Sequence, residues 1–164
     1  MGRAPSPHRP DALYGPTIVG LFHEIQPAQA ALGALRDAGL SSEQLSIVAR
    51  REGGAGGIPG WLPAAGTVSL PGTDQADGAG PLVADSAAAG SLVSALLAIR
   101  VAEEDALAFV QEVGRGDVLV VVQSFSDDQG RGAYTLVVRA GTDVVRAYGL
   151  STGEPVGEMP ALLW

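Results

Sequence analysis

The stretch Thr17–Arg50, TIVGLFHEIQPAQAALGALRDAGLSSEQLSIVAR, decides the fold. It opens on Thr17–Phe22, a β-branched and aromatic run that reads as a strand closed by the polar pair His23-Glu24. Pro27 suits the first turn of a helix, where its missing N–H would go unpaired in any case. Ala28, Ala31, Leu32 and Leu35 then recur at helical spacing as one apolar stripe, with Gly39 placed to end it. Ser41–Gln44 reads as a turn and Leu45–Arg50 as a second strand, completing a βαβ unit.

A second segment, VAEEDALAFVQEVGRGDVLVVVQ over Val101–Gln123, repeats the pattern. Glu103, Glu104 and Asp105 load a first helical turn with charge that the helix dipole favours. Ala106, Phe109, Val110 and Val113 form the stripe, and Gly114 and Gly116 stop it. The unbroken apolar run Val118–Val122 predicts a central strand shielded on both faces. Further on, Ala133, Leu136, Val137 and Ala140 match a helix ended by Gly141, although Tyr134–Val138 also has strand character. A helix over 132–140 and a last strand at Val144–Tyr148 are expected.

Between these segments lies an insertion over 52–85, rich in Gly, Ala and Pro. Gly53–Gly57 cannot hold a helix. Gly66–Leu70 and Gly80–Ala84 read as a loose hairpin with a polar tip at Thr73–Gly78. Ser86–Ile99 reads as one small-residue helix with Ser86 as its N-cap. Outside the domain, taken as 16–150, residues 1–15 read as a disordered leader broken by Pro5, Pro7 and Pro10. Residues 151–164 read as a tail ending on Leu162-Leu163-Trp164.

Composition narrows the chemistry. A net charge of −8 argues against nucleic acid and against anionic membranes, both of which recruit basic surface. There is no Cys, hence no thiolate nucleophile, disulfide or Cys-based metal site. All ten cations are Arg, which removes a P-loop or Schiff-base lysine. Lys and Asn, both missing, share AT-rich codons, so a GC-rich bacterial genome accounts for their absence. Ala87–Ile99 is too short to span a bilayer, which needs roughly 20 apolar residues. With no signal peptide evident at the start, a cytoplasmic protein is the expectation.

The residues quoted above resemble the general stress protein 17M-like (heat-induced stress protein) domain family of bacteria. The likeness runs over Thr17–Tyr148, through TIVGLF, AQAALGALRDAGL, SSEQLSIVAR, AGPLVA at Ala79–Ala84, and the VAEEDALAFVQEVGRGDVLVVV segment. The chain departs from the family in having Ala102 where proline is common, and a polar tip at Asp74–Asp77. The resemblance implies a stress-linked protein with a ferredoxin-like α+β sandwich, and it carries over no catalytic residues.

The candidate sites are few. Gly54–Gly60 fails G-x-G-x-x-G because Pro59 occupies the third glycine's place, so nucleotide binding has little support. His23-Glu24 could serve as an acid–base pair or as metal ligands at a strand end, against the simpler reading of a solvated pair. Trp61, between Pro59 and Pro63, must dock on the core or meet a partner, and Trp164 has the same two options. No serine lies in a G-x-S-x-G context. No metal, nucleotide or other cofactor is expected to be required.

The expected architecture is α+β, with the helices at 27–38 and 103–113 on one face of a single sheet. Its other face would need cover, from the insertion around Trp61 or from a second chain in an isologous dimer. The expected function is that of a non-enzymatic domain working through self-association or protein contacts. The alternative is a small-molecule-binding or enzymatic domain with a pocket under the insertion. A membrane-peripheral role would require Ala87–Ile99 to be exposed.

Overall fold

The computed structural model describes residues 15–50, 58–62, 65–70 and 75–149. The expected leader, apart from Gly15, and the tail 151–164 lie outside the described residues. Strand β1 is Thr17–Phe22 and helix α1 is Ile25–Asp37. A 3-10 turn at Ser42–Gln44 leads into β2, Leu45–Arg50. Ser41 and Gln44 close that turn reciprocally, Ser41 accepting from Glu43 while the Ser41 N–H donates to Gln44 Oε1. Next come β3 (Gly66–Ser69), β4 (Gln75–Ala79), α2 (Pro81–Ala89), α3 (Leu92–Ala98) and α4 (Glu103–Gly114). The chain finishes with β5 (Val118–Gln123), α5 (Asp127–Arg139) and β6 (Val144–Tyr148).

The six strands form one antiparallel sheet in the order β3-β4-β2-β5-β1-β6. β5 is central, as its apolar run predicts, with Val120 opposite Gly20 on one side and Ile47 on the other. Its side chains alternate. Val118, Val120 and Val122 enter one hydrophobic cluster, and Leu119 and Val121 enter a second. Every position of Val118–Val122 is therefore apolar because the strand serves two cores.

The expected placement of both striped helices on one face is corrected by this arrangement. The α1 stripe Ala28, Ala31, Leu32 and Leu35 packs with Ala133 and Val137 of α5 on one face. The α4 stripe Ala106, Phe109, Val110 and Val113 packs with Leu82 of α2 and Leu92 and Leu96 of α3 on the other. A stripe dictates that a helix buries a side, but not against which face of the sheet. Chain direction decides that. β1-α1-β2 and β5-α5-β6 each join strands that run parallel with one strand between them, and crossovers of this kind share one hand. α1 and α5 consequently lie together, and α4, arriving with the insertion, takes the opposite face. The uncovered face that motivated a second chain is thus covered from within.

The insertion differs in detail too. The second hairpin arm is Gln75–Ala79 rather than 80–84, because Pro81 opens α2 at its first turn. The single helix expected at 86–99 is two, bent by 110°. Gly90 turns left-handed (φ 95) to end α2, and Ser91 caps α3 by accepting from the Ser94 N–H at 3.0 Å. Ser86 is inside α2 and buried, not a cap.

Candidate functional site

A group of titratable side chains converges at one end of the sheet, where β1 stops and β5 and β6 begin. His23 follows β1, Asp117 precedes β5 and Asp143 precedes β6, and antiparallel pairing of β1 with both neighbours brings the three together. The His23 Nδ1–H donates to Asp117 Oδ1 at 2.9 Å, with Asp143 Oδ2 3.6 Å away. The His23 backbone N–H donates to the same Asp143 oxygen at 2.9 Å, and the Asp143 N–H donates to Leu21 O at 2.9 Å. Asp143 thereby extends the β1–β6 ladder by one step whatever the charge on the imidazole.

The hydrogen bond and charge of Asp117, followed by the charges of Asp143 and Glu112, hold the His23 pKa above its ordinary 6.5. The His23 side chain is 70% exposed, so solvent screens the pair. A raised folded-state pKa adds stability that is fully present below about 6.5, the unfolded value, and fades as pH rises through the folded value. A proton NMR titration of the imidazole should place His23 above 6.5, and Asp117→Asn should bring it down. A midpoint at or below 6.5 in the unmodified chain would refute the pairing.

Glu24 does not join His23. It occupies the N-cap position of α1 in an extended conformation, makes no side-chain cap bond and is exposed. Trp61 docks: it is half-buried against the α1/α5 cluster beside Leu62, and the Arg36 guanidinium sits 4.4 Å from its ring centroid. It therefore lies on the α1 side and plays no part in covering the opposite face. Trp164 lies outside the described residues.

Two further polar clusters escaped the sequence reading. At the far end of the sheet, buried Gln44 donates from Nε2 to Gln123 O (3.0 Å) and to Gln129 Oε1 (2.7 Å), which also accepts from the Phe125 N–H. Beside it, Ser124 donates its hydroxyl to Pro16 O. On the α4 face, the Tyr148 hydroxyl donates to Asp105 Oδ2 at 2.7 Å, and burial together with this bond raises its pKa. These groups tie turns, strand ends and helices together. Nothing in residue spacing announces them, because each is created by the strand order.

A cavity of about 400 Å³ opens between the 58–62 turn and the β3–β4 hairpin, lined by Ile58, Leu62, Thr67 and Asp77 among others. Among the described residues no group of three or more His, Asp or Glu could hold a metal ion. No single helix there is long and apolar enough to cross a membrane. The bent pair α2–α3 passes by composition alone, and its Leu82, Leu92 and Leu96 are buried on the sheet. No protein-family model, curated protein or solved structure matches the chain.

Proposed function

We propose that this is a non-enzymatic, stress-related bacterial domain that works through protein contacts, self-association among them. The observation that carries the reading is where apolar surface remains. Both sheet faces are closed from within, yet Leu97 of α3 and Leu107 of α4 are 41% and 48% exposed, as are Val138 of α5 (41%) and Phe125 (48%). Large apolar side chains left in water suit surfaces that meet another protein. The ferredoxin-like part of the reading draws support from the order β2-β5-β1-β6 with α1 and α5 on one face, a βαββαβ pattern when β3 to α4 are set aside. The link to stress rests on the family resemblance alone.

Sedimentation at micromolar concentration should give a species near twice 16.6 kDa, and Leu107→Glu should return it to the single-chain mass. A clean single-chain species from the unmodified protein would refute self-association.

The cavity favours a second reading, a small-molecule site under the insertion. Among the described residues its lining brings one carboxylate, Asp77, and one hydroxyl, Thr67, to an open recess, fewer converging polar groups than a specific ligand site commonly supplies. The contact reading is therefore preferred.

A further inference from the structure

We propose that the outer edge of β6 is a docking strand for an extended segment of another protein carrying carboxylates at alternate positions. The proposal rests on the protein-contact reading and names the edge and the partner's chemistry. β6 pairs with β1 on one side, and among the described residues no strand lies on its other. The strand is well anchored. Val145 and Ala147 enter the α1/α5 cluster, while Val144 and Tyr148 pack against the α4 cluster. It holds five residues and no proline, whereas β3 at the opposite edge has four and no charge.

Two arginines border this edge. Arg146, in mid-strand, donates from Nη1 to the carbonyl of its own neighbour Val145 at 3.0 Å, so its guanidinium lies against the strand's backbone rather than on a carboxylate. Arg100 sits at the end of β6, close enough that a Cβ on Gly149 would come within 2.4 Å of its Nη1. It is held there by the C-terminal turn of α3, where it adopts φ 82 as the Arg100 N–H donates to Leu97 O and the Val101 N–H to Leu96 O. Neither arginine makes an ion pair among the described residues. In a chain of net charge −8 these are two guanidiniums beside the strand's backbone, with Asp143 just before the strand and Asp105, which accepts from the Tyr148 hydroxyl at 2.7 Å, at its end.

A charge on an edge strand discourages indiscriminate strand addition. The same charge selects among incoming strands, because a carboxylate opposite Arg146 attracts and a like charge repels. A second copy pairing antiparallel about Arg146 would set two guanidiniums face to face. The favoured occupant is thus a different, acidic strand, bound by backbone hydrogen bonds and chosen by charge.

The test uses the full chain and two labelled peptides, Thr-Val-Glu-Val-Glu-Val-Thr and its Lys-for-Glu counterpart, in fluorescence anisotropy, with amide chemical shifts to locate binding. The Glu peptide should bind at least about tenfold tighter, and Arg146→Glu should abolish or invert that preference. Shifts should centre on Val144–Tyr148. Should Arg146→Glu fold poorly, Arg146→Gln and Arg100→Gln serve instead, each expected to weaken the Glu peptide several-fold. Absence of binding, equal binding of both peptides, or shifts centred elsewhere would overturn the proposal. If the peptides fail while the protein sediments as a dimer, the docking edge falls and the self-association reading stands. If the Glu peptide binds at β6 of a protein that stays a single chain, the reverse holds.

Discussion

Phe109→Ala will destabilise the protein by about 3–5 kcal/mol and Leu35→Ala by about 2–5, read as shifts in the urea midpoint at constant slope. Phe109 is 4% exposed and Leu35 is fully buried, so each truncation leaves a cavity that close-packed neighbours fill only in part. The two sites lie in different clusters, on opposite faces of the sheet. Their costs should therefore add in the double variant to within about 0.5 kcal/mol, as for sites that share no partners. Were both helices on one face against a common set of side chains, the pair would couple. Strong non-additivity would contradict the two-sided core.

Gly80→Ala should cost at least about 3 kcal/mol, since backbone strain and a clash with fixed atoms act together. Gly80 joins β4 to α2 with φ 99, in the left-handed region that side chains avoid. A Cβ there would lie 2.1 Å from Leu45 O and 2.7 Å from Ser46 Cα, both backbone atoms of the neighbouring strand. No rotamer change relieves such contacts. The same junction carries the hydrogen bond from the Leu82 N–H to Ser46 Oγ, which fixes the entry of α2 onto its face of the sheet. A thermal melt compared with Gly90→Ala separates the effects: Gly90 also has positive φ, but a Cβ there meets nothing within 4 Å. Equal losses at the two positions would mean that the close approach to β2 is not a constraint.

Elements with their own periodicity were legible from residues alone. The strands Leu45–Arg50 and Val144–Tyr148 fall where alternation and β-branching put them. The α1 and α4 stripes are buried at the residues their spacing marks. What local pattern does not encode is partnership. Leu32 and Phe109 look alike in sequence, and only the direction of the crossovers sends them to opposite faces. The break at Gly90-Ser91 was readable, a left-handed glycine followed by a cap, but was hidden by a run of Ala and Leu that suits one longer helix. The site fared similarly. His23 was visible as a polar residue closing a strand, yet Asp117 and Asp143 are far from it in sequence and gain meaning only once β5 and β6 flank β1.

The position of β1 also bears on how the chain is made. Of the described strands β1 is the first to be synthesised, and both of its neighbours, β5 and β6, are the last. About a hundred residues must be added before either edge of TIVGLF can pair, on the order of five to twenty seconds at ordinary translation speeds. Throughout that interval the nascent chain holds an apolar strand with no partner, and the loop to be closed is long. Birth order and spatial order are opposed in this fold. Its most vulnerable state is therefore the unfinished polypeptide, where chaperone capture of the amino-terminal half would matter most.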